Sequence, residues 1–160
     1  MDRETFTTAV QQYQHTVFRV AFHYFANRDD AEDIVQEVFL RLLQQEHTFD
    51  SDEHTKYWLL RVTINLCKDT LKSPWRRRRV RWDAVPEEPV WERQEQQALF
   101  QEVMALPEKY RTVLNLYYYE ELSTKEIATL LQVQQSVVTT RLSRARQLLK
   151  KRLGEVWSNE

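Results

Sequence analysis

The stretch STKEIATLLQVQQSVVTTRLSRARQLLKKR, residues 123–152, decides the fold of the C-terminal half because its pattern predicts two helices joined by a tight turn. Ser123 precedes Glu126 by three residues, and this capping-box spacing marks the start of the first helix. The apolar residues that follow share one helical face: Ile127, Leu130 and Leu131. Residues 132–134 break the periodicity, and a longer helix begins after them.

The longer helix is predicted to bury one stripe of side chains and to expose a polar one. Its apolar stripe recurs every three or four positions: Val138, Leu142, Ala145 and Leu149. The opposite face carries short hydrogen-bonding side chains and an arginine, the types that reach base edges in a major groove. These are Ser136, Thr140, Ser143, Arg144 and Gln147. Between residues 141 and 153 there are six basic residues and no acidic one. The pattern favours a DNA-binding helix-turn-helix over its alternative, a solvated amphipathic helix.

Composition limits the class of protein. A length of 160 residues allows one domain or two small ones. One glycine and four prolines leave few residues for tight hairpins, so we predict an all-α protein. The one cysteine, Cys67, excludes an internal disulfide and lies among apolar residues, which favours a buried thiol. The N-terminus does not resemble a signal peptide and no apolar run of about 18 residues is present, so we expect a cytoplasmic protein without membrane insertion.

Charge alternates along the chain although the net charge is −1. Residues 1–60 carry five basic and eleven acidic side chains, whereas residues 61–82 carry eight basic and one acidic. Residues 83–102 are acidic again, with six acidic side chains against one basic. The two basic regions, residues 61–82 and the C-terminal helix, suggest two separate phosphate contacts.

Periodicity predicts two helical domains, residues 1–73 and 91–160. The linker between them, residues 74–90, is predicted to be flexible because it holds three of the four prolines and switches charge sign. Helices are predicted over Phe6–Phe25 (with a break near Gln14 left open), from a cap at Asn27 to about Gln45, and over Thr55–Lys72, Trp91–Ala105 and Glu108–Glu120. The inner stripe of the second helix is Ile34, Val38 and Leu42, joined by Val35, Phe39 and Leu43.

The second helix begins with an acidic cluster over residues 29–37 that exceeds what capping requires. A metal site is a poor interpretation, because the carboxylates spread around the first turn and no histidine lies at ligand spacing. A docking surface for a basic protein partner is the sharper interpretation. A solvated helix start is the alternative.

The third helix interleaves aromatic residues with basic and amide side chains, a combination suited to unstacked single-stranded bases. Trp58 could instead pack in the core of the small domain. The run Arg76–Arg79 with Arg81 follows directly and would grip phosphates at the end of a DNA-facing helix.

Nothing in the sequence indicates catalysis. The four histidines form no catalytic arrangement, and no glycine-rich phosphate loop or nucleophile motif is present. We therefore expect a protein that is not an enzyme, with no cofactor and no metal.

Four segments together resemble the extracytoplasmic-function sigma factors of bacterial RNA polymerase. The N-terminal pair is NRDDAEDIVQEVFLRLLQQEHTFD (27–50) and YWLLRVTINLCKDTLK (57–72). The C-terminal pair is LPEKYRTVLNLYYYEELSTKEIATLL (106–131) and VVTTRLSRARQLLKKRL (137–153). The order of the segments and the spacing between them match the family, and they cover 83 of the 160 residues.

The resemblance implies roles for named residues. The second helix would dock on the β′ clamp helices of core RNA polymerase through Asp30, Asp33, Gln36 and Glu37. The loop from about His47 to Thr55 and the third helix would read the melted minus-ten promoter DNA and trap a flipped base, a step that costs a few kcal/mol. The residues implied there are Trp58, Arg61, Asn65, Lys68, Arg76 and Arg77. The C-terminal helix would read the duplex minus-thirty-five element through Ser136, Thr139, Thr140, Ser143 and Arg144.

The resemblance also implies a contact with the β flap of polymerase and control by an anti-sigma factor. This chain departs from the family pattern where Gln132 replaces the usual turn glycine and where Thr139 replaces a residue that is usually basic. Two other functions stay open from the sequence. One is a stand-alone helix-turn-helix regulator of duplex DNA, and the other is a sigma-like decoy that binds a regulator and no DNA.

Overall fold

The computed structural model describes the backbone of residues 1–46, 49–73 and 94–158, and the side chains of residues 1–46, 49–73 and 97–154. Within these ranges the chain forms seven α-helices and one π-helical turn, with no strand, which confirms the all-α prediction. The chain divides into two compact units, Met1–Val85 and Pro86–Glu160. The predicted linker, residues 74–90, lies outside the described residues.

The first unit is a three-helix domain built from α1 (Arg3–Phe25), α2 (Arg28–Leu43) and α3 (Asp52–Lys72). Helix α1 is continuous through Gln14. The predicted cap at Asn27 is confirmed, because its side chain accepts a hydrogen bond from the backbone N–H of Asp30 at 3.0 Å.

Helix α3 begins three residues before the predicted start at Thr55. The hydroxyl of Ser51 accepts a hydrogen bond from the backbone N–H of His54 at 3.1 Å. The negative charges of Asp52 and Glu53 lie in the first turn, at the positive end of the helix dipole, where they stabilise the helix.

The core of the first unit consists of apolar side chains from all three helices. The fully enclosed members include Val17, Val20, Val38, Leu42, Leu59, Leu60, Ile64 and Cys67. The buried thiol at Cys67 is therefore confirmed. The assignment of Leu43 to the inner stripe of α2 is wrong, because this side chain is 43% exposed. Leu43 follows the buried Leu42 by one residue, which turns it about 100° around the helix and away from α1 and α3.

A partly buried hydrogen bond ties α1 to the start of α3. The hydroxyl of Tyr13 donates to the carbonyl oxygen of Asp52 at 3.0 Å. Burial raises the pKa of Tyr13, and the negative charge of Asp52 raises it further. The phenol thus stays protonated and the two helices stay linked over the neutral pH range.

The described part of the second unit comprises α4 (Gln94–Met104), α5 (Glu108–Leu114), a π-helical turn (Asn115–Tyr119), α6 (Thr124–Leu131) and α7 (Gln135–Ser158). The predicted helix Glu108–Glu120 is thus α-helical only as far as Leu114. Beyond it, the backbone N–H of Glu120 bonds to the carbonyl oxygen of Asn115, five residues earlier, at 3.0 Å.

Arg111 joins α5 to the end of α4. One of its terminal nitrogens donates to the carbonyl oxygens of Met104 and Leu106, at 3.3 and 3.2 Å. Burial lowers the pKa of Arg111, while the nearby charge of Glu108 acts in the opposite direction. A guanidinium titrates so far above neutrality that it stays charged here, and it satisfies carbonyl groups that a helix end leaves without partners.

None of the described helices combines the length and the apolarity needed to span a bilayer. Within the described ranges, no group of three His, Cys, Asp or Glu side chains is arranged to hold a metal ion.

Candidate nucleic-acid and protein interfaces

Helices α6 and α7 form the predicted helix-turn-helix. Both halves of the capping box are present, because the Ser123 hydroxyl accepts from the Glu126 backbone at 3.0 Å and the Ser123 backbone donates to the Glu126 carboxylate at 3.1 Å. The amide of Gln135 also donates to the hydroxyl of Thr124 at 2.8 Å. This contact joins the start of α7 to the start of α6 across the turn.

The buried and exposed faces of α7 are those predicted. Val138 and Ala145 are fully buried, Leu142 is 2% exposed, and Leu149 is half-buried. On the opposite side, every predicted base-reading residue is exposed: Ser136, Thr139, Thr140, Ser143 and Arg144. A helix with one face in the core and a polar face in solvent can enter a major groove without disturbing its own packing.

The hydroxyls of this face are not equivalent. Thr139 donates its hydroxyl to the carbonyl oxygen of Ser136 at 3.0 Å, so this group already serves the first turn of the helix. Thr140, Ser143 and Arg144 stand three and four residues apart and are therefore neighbours on the helix surface. We expect these three to provide the centre of any base contact.

Helix α3 presents a second polar stripe. Arg61 and Asn65 are exposed, and Trp58 and Lys68 are half-buried. Their spacings of three, four and three residues place all four on one side of the helix. The two remaining predicted minus-ten residues, Arg76 and Arg77, lie outside the described residues.

Trp58 combines packing with exposure. Its ring lies 5.7 Å from that of Phe49 in a tilted arrangement, and Phe49 in turn meets His54 edge-on at 5.2 Å. Three rings therefore meet where the polar stripe begins, at the start of α3. Part of the indole is packed and part is accessible, as both interpretations of Trp58 require.

The predicted protein-docking residues of α2 fall into two groups. Asp33 and Gln36 are exposed, and Glu37 is half-buried and paired with Arg41 at 3.1 Å. Asp30 requires a correction, because it is only 6% exposed and belongs to the inner side of the helix. The physical reason is its position four residues before the buried Ile34, which puts both residues on the same face.

Sequence reasoning missed two exposed leucines on α2. Leu40 and Leu43 are 50% and 43% exposed. Leu40 follows Asp33 by seven residues and Gln36 by four, so the helical spacing alone could have placed it beside them. An exposed apolar pair next to polar residues is the composition of a protein interface rather than of a solvated face.

Sequence reasoning also missed an aromatic cluster in the second unit. Tyr118 and Tyr119 in the π-helical turn are 57% and 62% exposed. The rings of Tyr117 and Tyr118 meet edge-on at 4.9 Å, and the side chain of Arg146 from α7 lies against both. The run of three tyrosines was the available signal, but its contact with α7 depends on the tertiary fold.

Two protein families match the chain, one in each unit. Sigma-70 region 2 matches residues 9–77, and Sigma-70 region 4 matches residues 96–149. The ECF RNA polymerase sigma factor SigW of Bacillus subtilis is 30% identical, over 97% of this chain and 92% of the relative. The RNA polymerase sigma-H factor of Pseudomonas aeruginosa is 27% identical, over 95% of this chain and 88% of the relative.

Two solved structures share the fold. The sigma factor RpoE of Bartonella quintana, crystallised with the anti-sigma factor NepR, gives a TM-score of 0.74 at 19% identity and covers 94% of this chain and 97% of its own. CnrH in complex with the cytosolic domain of CnrY gives a TM-score of 0.65 at 21% identity, over 96% and 90% of the two chains.

Proposed function

The chain belongs to the extracytoplasmic-function sigma factors of bacterial RNA polymerase, and on that premise we propose how its surfaces divide the work of promoter recognition. A sigma factor of this class binds core RNA polymerase and directs initiation at specific promoters. The two family matches, one in each unit, support this function over that of a stand-alone helix-turn-helix regulator.

Helix α7 reads the duplex minus-thirty-five element. The observation that carries the proposal is that the residues of its polar face are exposed while the opposite face packs in the core. Arg144 can donate to a guanine edge in bidentate fashion, and the hydroxyls of Thr140 and Ser143 can pair with several base edges. Thr139 acts mainly on its own helix.

Helix α3 reads the melted minus-ten element. Asn65 presents an amide to the edge of an unstacked base, while Arg61 and Lys68 hold the strand through its phosphates. Trp58 offers the accessible part of its ring for stacking at the start of this stripe. Capture of an unstacked base offsets the few kcal/mol that its extrusion costs, so local melting requires no ATP.

Helix α2 docks on core polymerase. Asp33, Gln36 and Glu37 supply the polar part of the surface, and Leu40 and Leu43 supply an apolar part that leaves water on binding. Asp30 is omitted because it is buried. A contact of the second unit with the β flap completes the assembly.

An anti-sigma factor controls this chain by covering its polymerase- and DNA-binding faces. Support comes from the sigma factor RpoE, which has the same fold and was solved in complex with the anti-sigma factor NepR. The protein works in the cytoplasm, where its polymerase partner transcribes. It catalyses no reaction itself and requires no cofactor.

In vitro transcription tests the function. Core RNA polymerase is supplied with a library of bacterial promoter fragments, with and without this chain, and the transcript ends are mapped. We expect initiation at a defined promoter set only when the chain is present. A chain that bound duplex DNA tightly but left core polymerase without promoter specificity would be a stand-alone regulator instead.

A further inference from the structure

Arg146 lies on α7 beside the proposed base-reading face. It follows Thr139 by seven residues, which places it two turns along the helix on the same side, about 10 Å further from the turn. It also follows Ser143 by three residues and is exposed. A cation at this flank of a groove-binding helix is within reach of the DNA backbone rather than of the base edges.

The π-helical turn holds the Arg146 side chain in place. The Nε–H of Arg146 donates to the Tyr118 hydroxyl oxygen at 2.6 Å. The carbon at the centre of the guanidinium lies 5.7 Å from the centre of the Tyr117 ring and 5.5 Å from that of Tyr118. Both distances are within the range of a cation–π contact. Three contacts therefore restrict a side chain that would otherwise sample many rotamers.

The hydrogen bond also orients donors toward solvent. An arginine can only donate, so the Tyr118 oxygen is the acceptor and its own proton points elsewhere. The two terminal nitrogens of Arg146 carry donors that this bond does not use. The pair thus offers a hydroxyl donor and a charged planar donor group from one exposed place, which suits an anion with several oxygens.

The charge of Arg146 is not cancelled by its neighbours in the cluster. Arg152, further along the same helix, donates to the carboxylate of Glu102 at 2.6 Å and is neutralised by it. Arg146 instead lies against two neutral tyrosine rings, which fix its position and leave its charge available. Arg152 thus serves contacts within its own unit, whereas Arg146 keeps a positive charge that an anionic ligand can meet.

We propose that Arg146 and Tyr118 together bind a phosphate of the DNA backbone next to the minus-thirty-five bases. The proposal rests on the function proposed above and adds a contact that carries no sequence information. DNA is favoured over an acidic protein surface because Arg146 flanks the base-reading face, one turn beyond Ser143, and lies in a stretch without acidic residues from 141 to 153. Tyr118 is a positioning residue that also donates to the phosphate.

The test uses holoenzyme reconstituted from the full chain and core RNA polymerase. Its affinity is measured at several salt concentrations for a promoter duplex enriched from a random library and for a duplex of scrambled sequence. Arg146→Gln should reduce the slope of log affinity against log salt by about 0.9 and weaken both duplexes by the same factor. Arg146→Lys should keep the slope and still lose affinity, because lysine lacks the Nε–H that meets Tyr118.

Tyr118→Phe should lower affinity for both duplexes several-fold without changing the slope, and this loss should shrink in an Arg146→Gln background, where only the hydroxyl's own contact remains to be lost. Tyr117→Phe is the matched control, since it removes a neighbouring hydroxyl and keeps the ring against Arg146. Arg152→Gln is the control for loss of a cation from the same helix. Circular dichroism and unfolding midpoints confirm that each variant folds.

The outcomes separate this proposal from the proposed function. If the wild-type holoenzyme shows no preference for any promoter, the proposed function fails. If the wild type is specific but Arg146→Gln keeps the wild-type slope, the phosphate contact alone is refuted. A change in sequence preference would make Arg146 a base reader, and weaker assembly with core polymerase at an unchanged slope would assign it to a protein carboxylate. Either result overturns the proposal.

Discussion

Gln132, in the turn between α6 and α7, occupies the left-handed region with φ 58° and ψ 45°. Residues with a Cβ atom are disfavoured there by about 1–2 kcal/mol, which is why a glycine is usual in such turns. The geometry persists because the backbone N–H of Val133 bonds to the carbonyl oxygen of Ala128 at 3.0 Å and closes the end of α6. The strained residue thus lies where the chain turns from α6 into α7.

Gln132→Gly should stabilise the second unit by about 0.5–1 kcal/mol, since glycine removes the strain at some cost in unfolded-state entropy. The measurement is the urea unfolding midpoint. Gln134→Gly is the matched control in the same turn, where φ is not positive, and it should give no gain. Equal effects of the two variants would show that Gln132 is not strained.

Asn115, the first residue of the π-helical turn, is 4% exposed, and neither of its amide atoms has a hydrogen-bond partner among the described residues. A buried polar group in that situation costs about 1–3 kcal/mol. Asn115→Leu should therefore raise the free energy of unfolding by about 1 kcal/mol, as measured by urea titration. Asn115→Asp keeps the shape but buries a charge and should destabilise. A destabilised leucine variant would mean that the amide is satisfied in solution.

At the scale of secondary-structure elements, the hydrogen bond between α1 and α3 is sensitive to pH. The pKa of Tyr13 is raised in the folded state by burial and by Asp52, so an unfolded chain loses this proton at lower pH than the folded one does. The stabilisation is complete below the unfolded pKa of about 10 and declines as the pH rises through the folded pKa. At neutral pH the stabilisation from this hydrogen bond is therefore fully present.

Tyr13→Phe removes this bond and should cost about 0.5–1.5 kcal/mol at pH 7. Because only the wild type contains the titrating phenol, the stability gap between the two proteins should narrow above about pH 10. Urea unfolding of both proteins from pH 7 to 11 measures the difference in their free energies of unfolding. A gap that stays constant over this range would show that the Tyr13 proton contributes nothing to the alkaline loss.

On α2, simultaneous replacement of Asp33, Gln36 and Glu37 by alanine should weaken binding to core polymerase tenfold or more, about 1.4 kcal/mol. The binding assay is titration of labelled chain with core polymerase. A matched control removes two acids and one glutamine from other exposed positions: Glu4, Gln11 and Glu46. Arg41→Ala accounts for the lost ion pair with Glu37, which is worth about 0.3–0.5 kcal/mol. Wild-type affinity in the triple variant would refute the docking surface.

For the whole molecule, each unit has its own core and its own polar face, one on α3 and one on α7. Losses of DNA contact in the two units should then be independent. Arg144→Ala should cost about 1–3 kcal/mol if its base contact is bidentate. Asn65→Ala should act on the melted element alone.

The double variant Asn65→Ala/Arg144→Ala should lose the sum of the two single losses, within about 0.5 kcal/mol. The free energies come from holoenzyme affinity for a promoter duplex, compared with duplexes mutated in one element at a time. Arg144→Ala should become indifferent to changes in the minus-thirty-five element only. A coupling beyond that margin would show that the two faces do not act independently.

The fold was largely predictable because its signals are local. Capping residues at Asn27 and Ser123 and the apolar periodicity of α7 act within one helix, and the structure shows all of them. The start of α3 differs from the predicted one because the cap at Ser51 lies inside a polar segment whose composition favours a loop. The π-helical turn was missed because a five-residue hydrogen bond leaves no periodicity over so short a run.

The sequence by itself determined the all-α class, the helix-turn-helix and the family, because each depends on residue types at fixed spacing along the chain. Tertiary structure decided which side chains remain accessible. It buried Asp30, exposed Leu40 and Leu43, and brought Tyr118 of the π-helical turn to Arg146 of α7. Spacing within one helix shows which residues share a face, but packing between helices that are distant in sequence decides which face is covered and which side chains of different elements meet.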